Sequence, residues 1–409
     1  MLTGVVGGPR HAVVLLALAL AASGVACSGP GAGAGRSAPA AATSPHAASP
    51  TGPPGGARGT PAAGPSPTPE PGFTLVATGD LLIHGPVARA ALAYGHGRRY
   101  DFTPMLARVR AQIAAADLAL CHVETPLSRD DRGISGYPRF NTPHELADAI
   151  AWAGFDGCST ASNHSFDRGV AGVRDTLDAL DRVRVAHAGT ARDAREATRV
   201  ELHRVGGAVV AHLSYTYGTN GVDVPAGTRW AVNRLSVPAI LADARRARAA
   251  GATFVVASLH WGEEYSSPPT AEQQAQARRL LASPDVDLLL GDHVHVQQPV
   301  AKLGDKYVVY GMGNLLSNQS PREGLRPQTQ DGGVVSVHVV RRGTRFVADG
   351  VTVTATLCDI PTYVVLPVAS TVADPSTRPS LRRALEASLT RTRAIHAGTR
   401  ALQGVARVR

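Results

Sequence analysis

Cysteine is scarce in this chain: there are four in 409 residues. Cys27 closes the N-terminal segment, and Cys121, Cys158 and Cys358 are an odd remainder. That excludes a disulfide framework. Cys121 and Cys158 fall in expected core strands, so buried free thiols are the first reading. A Cys121–Cys158 bridge stays open in an oxidising compartment. Aromatic residues make up only 5%. No basic stretch interleaved with aromatics marks a nucleic-acid surface, so no nucleic-acid partner is expected. Lysine is nearly absent: Lys302 and Lys306 stand alone, and arginine carries most of the formal charge of +9. Arginine is spread along the chain together with alanine, as a compositional bias and not as a patch. A basic outer face permits anionic polymers or lipid headgroups without requiring them. Long hydrophobic runs are also missing. The apolar run at residues 12–22 is too short and too alanine-rich for a good membrane span.

That run follows Arg10-His11 and leads through small residues to Cys27, the layout of a secretory signal. Gly24-Val25-Ala26-Cys27 resembles a bacterial lipobox. Residues 1–27 are therefore expected to be a signal cut before Cys27, whose new N-terminus carries lipid. A plain secretory cleavage nearby is the alternative. Residues 28–72 are almost entirely Gly, Ala, Pro, Ser and Thr. They hold too little apolar surface to offset the entropy of ordering, which predicts a disordered tether stiffened by proline. Together these segments place the remaining domain on the outer face of the cell membrane, with secretion as the alternative.

The folded part begins near Phe73. Short apolar runs end in Asp80, Glu124, Asn163-His164, His260 and Asp292-His293. Amphipathic stretches alternate with them at residues 104–116, 143–153, 172–182, 235–250 and 271–282. Strand–helix alternation argues for a parallel sheet with crossover helices. Residues 333–340 and 345–356 alternate like antiparallel strands around Arg342-Gly343, so a mostly parallel sheet followed by an antiparallel one is expected. Residues 368–409 read as a peripheral, arginine-rich helical tail.

In open α/β sheets, ligands bind outside the carboxyl ends of strands. Those ends here carry Asp80, Glu124, Asn163, His164, His260, His293 and His295. Carboxylate, amide oxygen and imidazole together suit a hard or borderline divalent ion such as Mn²⁺, Zn²⁺ or Fe²⁺. Thiolate is absent from these loops, against a structural zinc site. Seven ligands exceed what one ion takes, so one or two ions are expected, with Glu124 as the bridging carboxylate. Trp261 and Tyr265 read as packing, one of Glu263 and Glu264 as a solvated turn, and Asp167 as a helix cap. Asn314 either touches substrate or closes the sheet.

Six stretches, in order, carry a resemblance. They are Thr78-Gly79-Asp80, Val123-Glu124-Thr125-Pro126-Leu127, residues 162–169 (SNHSFDRG), residues 260–265 (HWGEEY), Gly291-Asp292-His293-Val294-His295 and Gly313-Asn314. From residue 73 to 367 the chain resembles the CapA family of capsule and poly-γ-glutamate synthesis proteins, within the calcineurin-like metallophosphatase superfamily. The resemblance implies a four-layer α-β-β-α sandwich with mixed sheets, a two-metal site and a role in anionic-polymer production at the envelope. Other capsule-synthesis membrane proteins are then expected partners. The chain departs from the superfamily pattern where Asp80 is followed by Leu81-Leu82, the nearest histidine being His84. It also has His122 where most relatives place asparagine, and His122 is expected to pack behind the ligands. The chemistry implied is metal-dependent hydrolysis of phosphoester-type bonds, with His164 protonating the leaving group. A non-catalytic polymer-binding accessory role, or cleavage or transfer at an amide bond of poly-γ-glutamate or peptidoglycan, are the alternatives.

The N-terminal reading has a direct check. In a bacterial host the mature protein should begin at Cys27, carry lipid and sediment with membranes, and Cys27→Ala should be released or stay unprocessed. Mass spectrometry that finds a mature N-terminus well inside residues 28–72 contradicts it.

Overall fold

The computed structural model describes residues 72–397 and 406–409. The expected signal, Cys27 and the tether up to residue 71 lie outside the described residues. The chain runs β1 (Gly72–Leu81), α1 (Gly85–Tyr94), α2 (Thr103–Leu106), α3 (Arg110–Ala114), β2 (Leu118–Val123), α4 (Glu145–Ala153), β3 (Gly157–Ser159), α5 (Gly169–Arg182) and β4 (Ala186–Ala188). It continues with β5 (Glu201–Val205), β6 (Ala208–Thr216), α6 (Val237–Ala249), β7 (Phe254–His260), α7 (Ala271–Leu281), β8 (Leu288–Asp292), β9 (Gln297–Leu303) and β10 (Lys306–Met312). It ends with β11 (Asn314–Leu316), β12 (Asp331–Arg342), β13 (Arg345–Asp359), β14 (Val364–Pro367), α8 (Val368–Ala373), α9 (Pro379–Ala397) and β15 (Ala406–Val408).

Two mixed sheets result. The first has the order β14-β13-β12-β1-β2-β3-β4, with β11 beside β1 and β15 beside β13. Its β1 to β4 are parallel, and β12, β13 and β14 are antiparallel. The second has the order β5-β6-β7-β8-β10-β9, parallel from β6 through β10 and antiparallel at both edges. The late antiparallel strands therefore do not form a sheet of their own, as expected above. β12 pairs directly with β1, from Gly72↔Val340 to Thr78↔Val334. Periodicity reports which face of a strand is buried, not which strand it joins.

Burial on both faces explains the near-continuous apolar strands. Phe254 and Val256 of β7 face the core between the sheets, with Leu75 and Ala77 of β1 and Leu118 and Leu120 of β2. Val255 and Ala257 of β7 face the other way, against Ile240 and Ala244 of α6 and Leu280 of α7. Ala119 and Cys121 of β2 pack against Met105, Ile113, Leu146 and Ile150 of the helices outside the first sheet. Three cores separate four layers, helix–sheet–sheet–helix, as the resemblance implies.

Local signals hold where capping chemistry is strong. α7 starts at a capping box between Thr270 and Gln273. Gly154 ends α4 at a φ of 99°, a conformation that favours glycine. Residues 104–116 form two short helices and not one, although Met105, Leu106, Val109 and Ile113 are all buried. Cys121 and Cys158 are register partners on β2 and β3 and are joined as a disulfide, which corrects the free-thiol reading. Parallel-strand register, invisible in the spacing of the two cysteines, brings them together. Cys358 is free and buried. Among the described residues no helix is long and apolar enough to cross a membrane.

The tail is helical, but it is not peripheral. α9 buries Leu385, Ser388, Thr392 and His396, and β15 pairs with β13. Arg391 grips the buried Asp331 carboxylate with two hydrogen bonds, of 2.6 and 2.8 Å. Its arginine-rich composition hid this, because one well-placed guanidinium anchors a helix that looks fully solvated. Arg391→Ala should therefore destabilise the fold by about 3 kcal/mol, since it leaves Asp331 buried without its partner. An unchanged urea midpoint would show that the tail is only laid on the surface.

Candidate metal centre

The carboxyl ends of β1, β2, β7 and β8, and the loop after β3, converge at one end of the two sheets. Asp80, Glu124, Asn163, His260, His293 and His295 are all buried there. Parallel pairing sets Asp80 beside His122 and His260 beside Asp292. Gly79 allows this approach: a side chain on it would run into the Gly313 carbonyl, one residue before Asn314 on β11. Gly313 itself has a φ of 71°, and a side chain there would meet the Asp331 carbonyl, which accounts for glycine in both motifs.

Asp80 organises the histidine loop. Its Oδ1 accepts the His293 backbone N–H at 3.2 Å, and its Oδ2 accepts His295 Nδ1–H at 3.2 Å. Asn314 Oδ1 accepts from the same His295 nitrogen at 3.1 Å. Asn314 therefore aims a histidine, and its amide is held by the Gln319 side chain and the Thr329 carbonyl. His293 and His295 have φ values of 91° and 58°. Such conformations cost about 1–3 kcal/mol each in non-glycine residues and cluster at functional sites.

Glu124 lies at the centre. Its Oε1 is 3.8 Å from His295 Nε2 and 3.9 Å from His260 Nε2, and neither carboxylate oxygen has a hydrogen-bond partner. His260 Nε2–H donates to Asn163 Oδ1 at 2.8 Å. Tyr217, on the loop after β6, covers His293 at 4.5 Å between ring centroids. The exposed Glu264 comes within ligand distance of His293 and His295. Tyr265 is no simple packing residue: with His84, Tyr137, Phe140 and His164 it lines an open cleft against His295. Trp261 is buried packing, as expected, its indole donating to the Tyr310 carbonyl.

His164 stands apart from the ligand groups. Its Nδ1–H donates to Asp167 Oδ2 at 2.8 Å, and its ring packs edge-on to Phe140 at 4.6 Å. Asn220 Nδ2 donates to its Nε2 at 3.2 Å, while Asn220 Oδ1 accepts from Asn163. Both ring nitrogens of His164 are thus engaged by protein groups, and it is in none of the candidate ligand groups. Asp167 is not a helix cap: α5 begins without a side-chain cap, and the carboxylate holds His164 and the Phe140 N–H.

Burial dominates the electrostatics. It drives the Glu124 and Asp292 carboxyls well above their usual range, neighbouring carboxylates adding to the rise at both. It pushes His122 and His293 down to about 4 and about 3, and His260 well below its ordinary value. His295 moves the other way, to about 9: burial lowers it, but Glu124 and Asp80 outweigh burial. Burial also raises the Asp80 carboxyl, yet the His295 hydrogen bond and charge bring it below its usual value. Buried polar atoms in native proteins are normally paired. Here His122 Nε2, both Glu124 oxygens, His260 Nδ1, Asp292 Oδ1 and His293 Nδ1 have no partner. Ligand atoms of Asp80, Glu124 and His295 lie within 4.8 Å of one another, as do those of Asp80, His122 and His260. A divalent cation fits this donor set and relieves its unpaired charge.

Sequence reading missed Asp292, Asn220 and the place of His122. Asp292 lies inside the histidine motif, at the end of an apolar strand like the others. His122 continues the inward stripe Leu118, Leu120 of β2, a period-two signal. Asn220 sits on a polar loop and had no such signal.

The unpaired carboxylate yields a test by sign. With metal chelated, Glu124→Gln should stabilise the protein by about 1–3 kcal/mol, because a neutral amide replaces a buried acid. A carboxyl raised in the native state binds its proton there after the unfolded chain has lost its own. Wild-type stability therefore falls as pH rises above the ordinary glutamate value, and the variant's advantage grows in that direction. With Zn²⁺ or Mn²⁺ added the order should reverse. A chelated variant less stable than chelated wild type at pH 8 contradicts this account.

The profile of the family described as bacterial capsule synthesis protein PGA_cap matches residues 74–319. The capsule biosynthesis protein CapA of Bacillus anthracis is 25% identical over 283 residues, 66% of this chain and 65% of its own. The PGA biosynthesis protein CapA of Bacillus subtilis is 27% identical over 196 residues, 46% of this chain and 48% of its own. The chain thus spans about two thirds and about half of these curated relatives. Among solved structures, the calcineurin-like phosphoesterase YfkN of Bacillus subtilis aligns over 79% of this chain and 98% of its own, with 13% identity and a TM-score of 0.40. The matched segment carries every strand-end ligand candidate from Asp80 to His295, together with Asn314, and the chain belongs to the PGA_cap family of bacterial capsule synthesis proteins.

Proposed function

We propose that this chain is a divalent-metal-dependent hydrolase of phosphoester-type bonds, working in capsule or poly-γ-glutamate synthesis at the outer face of the cell membrane. The single observation that carries the chemistry is Glu124: fully buried, both oxygens unpaired, between His295 and His260. The setting rests on the family and its CapA relatives. Anchoring rests on Gly24-Val25-Ala26-Cys27 and the tether composition.

Asp80, Glu124, Asn163, His260, His293 and His295 would hold one or two ions, Mn²⁺, Zn²⁺ or Fe²⁺, with Glu124 between two. Bound ions supply polarisation of a water and of an oxygen on the scissile group. Asp167 holds Nδ1 of His164, so Nε2 is the nitrogen that exchanges a proton with the leaving oxygen. Phe140 packs edge-on against the ring, and Asn220, which donates to Nε2 in the free site, would give way to the leaving oxygen. Among the described residues the cleft beside His164 is lined by Glu264 and Glu323 and by neither lysine nor arginine. An anionic group there takes its counter-charge from the ions and imidazoles, which ties polyanion binding to metal loading.

Purified protein loaded with Mn²⁺ or Zn²⁺ should hydrolyse an aryl phosphodiester or monoester. His164→Ala should lower kcat by about 10²–10⁴-fold, the usual size of an acid–base contribution. Asp167→Asn should lower kcat in the same direction. Both should keep the wild-type metal content, since neither residue belongs to a ligand group. Metal binding without any His164-dependent hydrolysis would overturn the catalytic part and favour a polymer-binding accessory role.

A further inference from the structure

Resting on the metal reading above, we propose that His122 is itself a ligand of this centre, through Nε2. Strand alternation brings it there. Leu118 and Leu120 of β2 face the second sheet, and His122 is the next residue on that stripe. It is the register partner of Asp80, with Nε2 3.8 Å from Asp80 Oδ1. From the opposite sheet His260 approaches to 4.9 Å between ring centroids. Ligand atoms of Asp80, His122 and His260 fall within 4.8 Å of one another, and all three side chains are at most 1% exposed.

The hydrogen bonds around the ring decide which nitrogen is free. Ser159 Oγ donates its one proton to the Cys121 carbonyl at 3.3 Å. With its proton placed there, it accepts from His122 Nδ1–H, at 2.7 Å. A neutral imidazole with its proton on Nδ1 carries a lone pair on Nε2. That atom has no hydrogen-bond partner among the described residues, although it is buried. This is the arrangement of a metal-ligating histidine, whose other nitrogen is fixed by a donor contact to a backbone or side-chain oxygen. The Cys121–Cys158 bond joins β2 to β3 one residue before His122 and Ser159, and it holds the two partners in register. A residue that only packed behind the ligands would have both nitrogens satisfied or would be replaced without loss by any group of its shape.

The test uses the full chain, stripped of metal and titrated with Zn²⁺ and with Co²⁺. His122→Asn keeps a donor where Nδ1 sits and removes Nε2. It should weaken at least one ion by about tenfold or more, the size that even an outer hydrogen-bond partner of a ligand gives. It should also change the visible Co²⁺ absorption, and His122→Gln, which places an oxygen near the Nε2 position, should recover part of the affinity. His338→Asn, at an exposed histidine of β12, should leave the spectrum unchanged. If His122→Asn does not fold, ¹⁵N imidazole spectra of the wild type serve instead: His122 Nε2 should shift on Zn²⁺ loading. Wild type that binds metal while His122→Asn binds it equally, or while Nε2 does not shift, overturns this proposal alone. Wild type that binds neither ion overturns the metal reading and this proposal with it.

Discussion

A carboxylate without a partner in the core of a protein is the constraint from which this structure is best understood. Glu124 is fully buried, and among the described residues neither of its oxygens has a hydrogen-bond partner. Left alone, such a group is costly or becomes protonated. His295 is held charged beside it but shares that charge with Asp80, while burial keeps His260 and His293 below their ordinary basicity. Asp80 uses its own charge to hold the histidine loop. The fold invests in this point from every side, including two left-handed histidines and a glycine contact with no room for a side chain. Packing alone gives no reason for any of them. A divalent cation at the centre gives one reason for all.

The second sheet and the tail serve the same end. β7 and β8 deliver His260 and the histidine loop, and β1 and β2 deliver Asp80, His122 and Glu124. Gln297, two residues after His295, donates to the Gly332 carbonyl and to Thr392 of α9, and accepts from His396. A helix beyond residue 319, where the family match ends, thus reaches the strand that follows the ligand loop. Outside the cluster, Tyr217 covers His293, and Tyr265 and the exposed Glu264 line the cleft beside His295.

Much of this was legible in the amino-acid order. Each ligand candidate follows an apolar strand, and a strand end is a place that physics makes functional. Alternation of strand and helix called for parallel pairing, and both sheets have it. What stayed hidden was tertiary. His122 looked like a packed residue, because nothing in a single strand tells which sheet faces it. Asp167 looked like a cap because it precedes a helix; only the fold turns it toward His164. Cys121 and Cys158 are far apart in the chain, and register alone makes them neighbours. Asn220 lies on a loop whose path no periodicity encodes. The tail misled through composition, since its arginine-rich helix packs Leu385 into an apolar cluster and pairs Arg391 with the buried Asp331.

The central claim is that two cations, or one, belong beside Glu124. An anomalous-scattering map from crystals soaked in Mn²⁺ or Zn²⁺ tests it most directly. The account predicts density between Glu124 and the His295–Asp80 pair, and a second peak, where two ions bind, between Glu124 and His260, Asn163 and His293. Well-ordered crystals with the same fold, soaked in either ion and showing no anomalous peak within coordination distance of Glu124, would contradict it.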